Sequence, residues 1–267
     1  MIANIDADIL VYRVGWASED VEEEIAKWRL FEAIKNIQDA LETNDFNCYL
    51  TSTDKSNFRY KLFPEYKANR TQPKPKHYEF LRNVFLTELK AEEAFGQEAD
   101  DLLGINQNDN TILCSIDKDL DQIPGWHYNF VTLLKYRLSP LEAMRCFYTQ
   151  CLVGDKSTDN IEGCPRIGKV KSNKMTEGCE NEQQLLETVI KAYSNAYPKK
   201  EWADRLLLAG NLLWVRKKPN QSWELSSGEV VSKPALEHCL NLMELGLDTS
   251  PEESPTSCTK STSQTLS

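Results

Sequence analysis

Ile2-Ala3-Asn4-Ile5-Asp6 decides the fold: a short apolar run that ends on an acid reads as a buried strand with a carboxylate at its carboxyl end. Working outward, Ile25, Trp28, Phe31, Ile34, Ile37 and Leu41 recur at helical spacing and predict a long amphipathic helix with this set as its apolar stripe. A second strand, Cys48–Thr51, ends near Asp54, and a third, Thr111–Ile116, ends at Asp117. Between them lie a helix carrying Tyr78, Leu81, Phe85 and Leu89 on one face and a short acidic helix around Glu98–Leu103. A fourth strand is expected at Tyr128–Leu133. Strands alternating with helices predict an α/β fold, a doubly wound, mostly parallel sheet. Ligands in such sheets bind at the carboxyl ends of the strands. That is where these aspartates fall.

After Ser139 the pattern turns helical. Ser139-Pro140-Leu141-Glu142 is a capping box with proline at the first helical position. Further helices are expected at Glu182–Ala196 and Pro234–Leu245. The chain therefore divides into an α/β core over 1–138, with a basic arch at about 55–92, a helical region over 139–247, and a tail over 248–267. That tail is rich in Ser and Thr, has no aromatic residue, and is expected to be disordered.

Composition narrows the function classes. With 267 residues and 40% apolar side chains, the chain can bury a core. Its longest apolar run, Leu206–Val215, is about half of the ~20 residues a membrane span needs. Asp6 and Asp8 stand where a secretory signal would need a basic and apolar start, so a cytoplasmic protein is expected. The eight cysteines contain no C-x-x-C pair and read as reduced thiols. The net charge of −10 argues against a nucleic-acid partner, but its distribution argues for one. Lys55–Arg82 holds eight Lys/Arg against two Glu, a local +6 that leaves −16 elsewhere.

The acids sit in five places: Asp6 with Asp8; Asp54; Glu98-Ala99-Asp100-Asp101; Asp117-Lys118-Asp119; and Asp155 with Asp159 in Gly154-Asp155-Lys156-Ser157-Thr158-Asp159. A single Asp after a strand is ordinarily a cap or turn residue. Five acidic segments in one alternating chain point to a shared site. Converging carboxylates repel unless cations neutralise them, and an oxygen-only donor set suits Mg²⁺ or Mn²⁺. Two such ions, about 3.5–4 Å apart, form a phosphodiester-cleaving arrangement.

Ile5-Asp6, Tyr66-Lys67-Ala68-Asn69-Arg70, Glu98-Ala99-Asp100-Asp101, Ser115-Ile116-Asp117-Lys118-Asp119 and Gly154-Asp155…Asp159-Asn160-Ile161-Glu162-Gly163 occur in the order seen in the 5′-nuclease (flap endonuclease) family. Over residues 2–172 the chain resembles its bacteriophage exonucleases and the 5′–3′ exonuclease domain of bacterial DNA polymerase I. The resemblance implies that Asp6, Asp54, Glu98, Asp100 and Asp117 surround one ion. Asp117, Asp119, Asp155 and Asp159 would surround a second, with Asp101 supporting the shell. Lys67 and Arg70, with Tyr66, would meet the scissile phosphate from a helical arch, and Tyr66 could stack on a base. Arg13 falls where the family has an arginine.

Gly163-Cys164-Pro165-Arg166-Ile167-Gly168, followed by Lys169 and Lys171, corresponds to the family's helix–three-turn–helix, which grips duplex backbone and in some members uses K⁺. Its two glycines would let backbone N–H groups approach a phosphate. Arg166 stands where many members have glycine, and Asp155 and Asp159 are four apart where the family usually has three. The implied activity is a metal-dependent 5′–3′ exonuclease or flap endonuclease of replication or repair, acting as a monomer on DNA with a 5′ end or flap, with RNA–DNA hybrids as a second substrate and a phage origin in view.

Two other readings compete. A haloacid-dehalogenase-class phosphatase would use Asp6 as nucleophile, Asp8 as acid/base, Ser115 for phosphate and the Gly154–Asp159 segment for Mg²⁺. That class places the last motif after a strand, whereas residues 141–152 read as helix, and it leaves Tyr66–Arg70 and Glu98–Asp101 without a role. A non-catalytic DNA-binding scaffold would have lost metal ligands, and no principal acid is missing. His77, His127 and His238 read as structural or surface residues, the six tryptophans as packing, and Arg216-Lys217-Lys218 as a surface charge cluster.

Overall fold

A computed structural model describes residues 1–225. A six-stranded sheet carries the first half of the chain. Its strands are β1 (Ile2–Asp6), β2 (Phe46–Thr51), β3 (Glu92–Ala94), β4 (Thr111–Cys114), β5 (Gly125–Asn129) and β6 (Leu134–Leu138). Their order is β3-β2-β1-β4-β5-β6. All neighbours are parallel except β5 and β6, which are antiparallel. Central parallel strands are covered on both faces, which is why β1 and β4 read as nearly unbroken apolar runs.

The chain winds from β1 outward through β2 to β3, then returns across β1 to β4 and continues the other way. The switch point therefore lies between the carboxyl ends of β1 and β4, where Asp6 and the Ser115–Asp119 loop emerge.

One face of the sheet packs on α1 (Ala7–Trp16), α2 (Glu23–Leu41) and α4 (Tyr78–Thr87). The other packs on α5 (Ala99–Asn106) and a 3₁₀ turn at Asp119–Gln122. A short α3 (Phe58–Leu62) leads into the basic segment. From Pro140 the chain forms α6 (Pro140–Val153), α7 (Lys169–Thr176), α8 (Glu182–Ala196) and α9 (Trp202–Leu213). These helices share a core with Tyr66, Trp214 and Trp223. The predicted capping box forms, with Glu142 N donating to Ser139 Oγ at 3.3 Å and Ser139 N to Glu142 Oε2 at 2.8 Å.

A buried polar seam joins the two halves. Arg59 makes a two-pronged pair with Asp101 at 2.7 and 3.0 Å, and donates to Leu212 O and Trp214 O. Arg216 N returns to Asp101 Oδ1 at 3.0 Å, and Gln122 Nε2 reaches Leu213 O at 3.0 Å. Every one of these groups is buried, and the bonds to Leu212 O, Leu213 O, Trp214 O and from Arg216 N cross between the halves.

Several elements differ from the sequence reading. The strand expected at Tyr128–Leu133 straddles the end of β5 and the following turn, where Leu133 takes φ 56° and reverses the chain into β6. In α2 the buried set is Ala26, Leu30, Ile34 and Ile37, while Ile25, Trp28 and Phe31 face outward. The apolar residues of this helix cover more than one face: the predicted stripe holds at Ile34, Ile37 and Leu41, whereas in the first turns Ala26 and Leu30 take the core side. Trp16 and Trp28 are surface residues at 48% and 61% exposure, not packing residues. The Arg216–Lys218 cluster is mostly inside: Arg216 lies 3.9 Å over the Phe58 ring and Lys217 3.5 Å over the Trp214 ring. His77 and His127 are buried, each with a ring nitrogen on a carbonyl, Val21 O and Ile123 O. His238, the helix expected at Pro234–Leu245 and the tail lie outside the described residues.

Candidate metal and phosphate site

Asp6 ends β1 and caps α1, accepting from Ile9 N at 3.2 Å. Its other oxygen accepts from Ser115 Oγ at 2.7 Å across the switch point. Beside it stands the start of α5, where Glu98 and Asp101 form a reciprocal capping box and Asp100 lies in the first turn, within electrostatic reach of Asp6, Asp117 and Glu98. Acids are favoured there by the helix N-terminus. Asp117 and Asp119 follow β4, with Asp119 N donating to Asp117 Oδ1 at 2.8 Å. Asp155 and Asp159 come from the turn between two-residue strands, β7 (Gly154–Asp155) and β8 (Ile161–Glu162), and Asp159 N donates to Asp155 O at 3.1 Å. That backbone bond spans the four-residue spacing, and within the turn Asp155 Oδ1 accepts from Thr158 N at 3.2 Å.

These acids act on one another electrostatically. Burial, then the charges of Asp8 and Asp117, push Asp6 up to about 7. Burial and the neighbouring Asp6, Asp117 and Glu98 hold Asp100 well above the usual carboxylate range. Asp117 is raised by burial and Asp159. Asp119 is pushed to about 7 by burial and the charges of Asp117, Asp155 and Asp159. Each carboxylate thus raises its neighbour's affinity for a positive charge.

On the opposite wall the acids are already neutralised. Lys67 Nζ donates to Glu98 Oε1, Tyr66 OH donates to Glu98 Oε2 at 3.0 Å, and Arg59 lies 3.7 Å away. Burial opposes the Glu98 charge, but Lys67 and Arg59 overcome it and pull the carboxyl down to about 2. Asp159 accepts from Tyr66 OH at 3.1 Å and from Arg70 at 2.6 and 3.2 Å.

The donor set fits a hard divalent cation: oxygen only, with Asp6 and Glu98 buried, the others half-buried, and neighbouring acids raising one another. Among the described residues no three acids already stand as a ligand cage. Lys67 and Arg70 pair with Glu98 and Asp159 on the wall, whereas the floor acids Asp6, Asp100, Asp117 and Asp119 stand in no ion pair among the described residues.

Some predicted site residues belong elsewhere. Asp54 is exposed and turned into its own loop, accepting from Ser56 N at 2.8 Å. Strand β2 ends at Thr51, and Asp54 lies in the turn that follows. Asp101 is committed to Arg59, Glu98 N and Arg216 N, so its oxygens are occupied by the seam. Tyr66 is buried at 2% exposure and cannot present its ring to a base. The Tyr66–Arg70 segment is a series of turns with Lys67 at φ 59°, not a helix. Asp8 pairs with Arg82 at 3.4 Å and accepts from Thr51 N at 3.0 Å. Sequence reasoning left out Arg59, whose signal was a basic residue inside an aromatic run, Phe58–Tyr60.

The Gly163–Gly168 turn separates its two glycines. A side chain on Gly163 would collide with Val153 C at 2.3 Å, so this glycine serves packing, not phosphate approach. A side chain on Gly168 would meet nothing within 4 Å, and Gly168 starts α7 with Lys169 and Lys171 in the first turn. Arg166 takes φ 60° and is exposed, the left-handed conformation that glycine would hold without strain. Ile167 packs on the helical core, beside a cleft of about 540 Å³ lined by Cys164, Arg166 and Lys171. Arg13 lies exposed in the last turn of α1.

The phosphatase reading loses ground on two counts. The Gly154–Asp159 motif follows helix α6 directly, with Gly154 as its C-cap. Asp8 is held in an ion pair where an acid/base would need to be free.

A doubly wound sheet with acids gathered at its switch point and a basic turn above them defines the class. Comparison with known proteins agrees. No protein-family model matches the chain. A 5′-3′ exonuclease of Buchnera aphidicola subsp. Schizaphis graminum is 28% identical over 189 residues, 61% of this chain and 65% of the relative. The corresponding exonuclease of the Acyrthosiphon pisum strain is 27% identical over 195 residues, again 61% and 65%. The match therefore covers 65%, less than two thirds, of the length of these relatives. The crystal structure of the T5 D15 protein with metal ions superposes with TM-score 0.56 at 19% identity, covering 79% of this chain and 85% of that one. The bacteriophage T5 D15 flap endonuclease in complex with DNA and metal ions gives 0.53 at 17%, covering 79% and 85%. The 5′-nuclease family is thus the family this chain resembles in sequence, and its fold is theirs.

Among the described residues no helix is long and apolar enough to cross a membrane.

Proposed function

We propose that this chain is a divalent-metal-dependent 5′ nuclease that hydrolyses DNA phosphodiesters, as a 5′–3′ exonuclease or flap endonuclease. The observation that carries the reading is the set of floor acids, Asp6 buried and Asp100, Asp117 and Asp119 half-buried, each shifted toward holding a positive charge by desolvation and its neighbours. Asp6, Glu98, Asp100 and Asp117 would hold one Mg²⁺ or Mn²⁺, and Asp117, Asp119, Asp155 and Asp159 a second. Bound there, such ions supply an activated water and neutralise charge on the phosphate.

The chain's own part is positioning. Lys67 and Arg70 stand at the rim, tied to Glu98 and Asp159. Once those acids are otherwise neutralised, the ammonium and guanidinium are free to meet a phosphate and the charge that develops on it. Tyr66, fixed by Glu98 and Asp159, orients these acids. Arg13, Arg166, Lys169 and Lys171 would touch duplex phosphates, with Gly168 giving the backbone room and Ile167 holding the turn. Such contacts read no base, so binding is sequence-independent and steeply salt-dependent. A K⁺ at this turn, action on RNA–DNA hybrids, work in replication or repair as a monomer in the cytoplasm, and a bacteriophage origin all extend the same reading.

The test is incubation with 5′-labelled flap and linear duplexes, with Mg²⁺ or with EDTA. Short labelled products released only with Mg²⁺ are expected. Retained duplex binding with no metal-dependent cleavage would instead make the chain a DNA-binding scaffold.

A further inference from the structure

Lys67 and Arg70 sit on a segment that has little regular structure to hold it. Residues 64–69 form turns whose own backbone bonds are few: Tyr66 N to Phe63 O, Ala68 N to Glu65 O and Arg70 N to Lys67 O. Lys67 takes φ 59°, a conformation a lysine keeps only when its surroundings impose it. The surroundings that do so come from the Asp155–Ile161 turn.

Asn69 Nδ2 donates to Lys156 O at 2.7 Å and to Asn160 Oδ1 at 3.3 Å. Asn160 Nδ2 donates back to Glu65 O at 3.1 Å. Between these bonds Lys67 N donates to Asp159 O at 3.1 Å. Asn160 itself stands at φ 60°, where asparagine is among the few tolerated side chains. Two amides therefore lace one basic turn to one acidic turn along its whole length. Asn69 donates twice through Nδ2, and Asn160 uses both its amide oxygen and its amide nitrogen. The extra residue between Asp155 and Asp159 lengthens the acidic turn, and Lys156 O is one of the acceptors it presents.

We propose that Asn69 and Asn160 are positioning residues: a paired amide clasp that sets Lys67 and Arg70 over the carboxylates at the height where a scissile phosphate would lie. This rests on the nuclease reading above. Neither side chain touches substrate in this account. Their effect is to keep two cations in register with Glu98 and Asp159, so their loss degrades the chemical step and not binding.

The experiment uses the full chain and two variants. Asn69→Ala removes one amide. Asn160→Gly removes the other while leaving the left-handed backbone free of strain. Hydrogen exchange of residues 64–70, without DNA or metal, is expected to quicken about tenfold in both variants, with the remaining peptides unchanged. On 5′-flap DNA with Mg²⁺, kcat is expected to fall about ten- to hundredfold and KM to stay within about twofold. The double variant is expected to lose less than the two single losses combined, because both remove the shared Asn69–Asn160 bond and both loosen the same turn.

Unchanged exchange, an intact kcat, a loss confined to KM, or additive losses would each overturn the clasp. A general rise in exchange would make the pair an element of the fold and overturn it too. If the unaltered chain cleaves no DNA, the nuclease reading fails, and the exchange of residues 64–70 alone decides whether the clasp exists.

Discussion

Asp100 and Asp101 are adjacent in sequence and opposite in physics. Asp101 is fully buried, faces Arg59 in a two-pronged pair and accepts two backbone N–H groups. Asp100 has no cation of its own, and burial with the charges of Asp6, Asp117 and Glu98 raises it well above the usual carboxylate range. One helical residue of rotation, about 100°, separates a seam from a site. The same contrast runs through the whole centre. The wall, Glu98 and Asp159, is neutralised by Lys67 and Arg70. The floor, Asp6, Asp100, Asp117 and Asp119, is not. A carboxylate paired within the chain stabilises the fold, whereas a cluster left unpaired destabilises it and retains affinity for an added cation.

The contrast can be broken most forcefully at these two neighbours. Asp100→Asn should cut Mg²⁺-dependent cleavage by about a thousandfold or more, roughly 4 kcal/mol of barrier. It should also raise the melting temperature of the metal-free chain at pH 8, because it removes a repelling charge. Asp101→Asn should do the reverse to stability: a buried Arg59 left without its counter-charge costs about 3–5 kcal/mol, read by urea unfolding. Lys67→Ala should slow cleavage about a hundredfold while DNA affinity changes little, measured by single-turnover kinetics and by binding in Ca²⁺. Equal loss of both would take Lys67 out of the chemical step.

The pH dependence sharpens the same comparison. Asp6 and Asp119 have folded values near 7, above the ordinary 3.8, so ionising them opposes folding. Without metal, their contribution to stability is fully present below about pH 4 and is lost as pH rises through about 7. Glu98, drawn down to about 2, contributes above about pH 4.5 and loses that contribution as pH falls toward 2. A melting profile should therefore rise as pH drops from 8 to 5 and turn down at lower pH. Added Mg²⁺ should stabilise more at pH 8 than at pH 5.5, because protons compete for the same oxygens. The smallest effect belongs to the duplex side. Arg166→Gly should relieve the left-handed backbone by about 0.5–1 kcal/mol while lowering the salt slope of DNA binding by about one.

Much of the sheet was legible because β1 and β4 are apolar runs that end in acids, and alternation with helices leaves few topologies. The helix over Glu182–Ala196 and the Ser139 capping box were legible for local reasons, periodicity and cap chemistry. The acids of the bowl could be named because family-like blocks marked them. What could not be read was which acid finds an internal cation. Asp101 looks like Asp100 until Arg59, 42 residues away, is brought against it. Asp54 follows a strand as Asp117 does, but its loop turns the carboxylate outward. The Tyr66–Arg70 spacing fits a helix, yet the Asp155–Ile161 turn holds it in another shape, a contact between segments about ninety residues apart. Long-range pairing of this kind leaves no local pattern.

The central claim is that the floor carboxylates are held apart only for want of cations and close around them when supplied. Diffraction from crystals grown with Mn²⁺, recorded at the manganese edge, tests it directly. The account predicts two anomalous peaks, one ringed by Asp6, Glu98, Asp100 and Asp117 and the other by Asp117, Asp119, Asp155 and Asp159, with Lys67 swung off Glu98. Peaks absent from this bowl, or lying among surface acids while Lys67 keeps its grip, would contradict it.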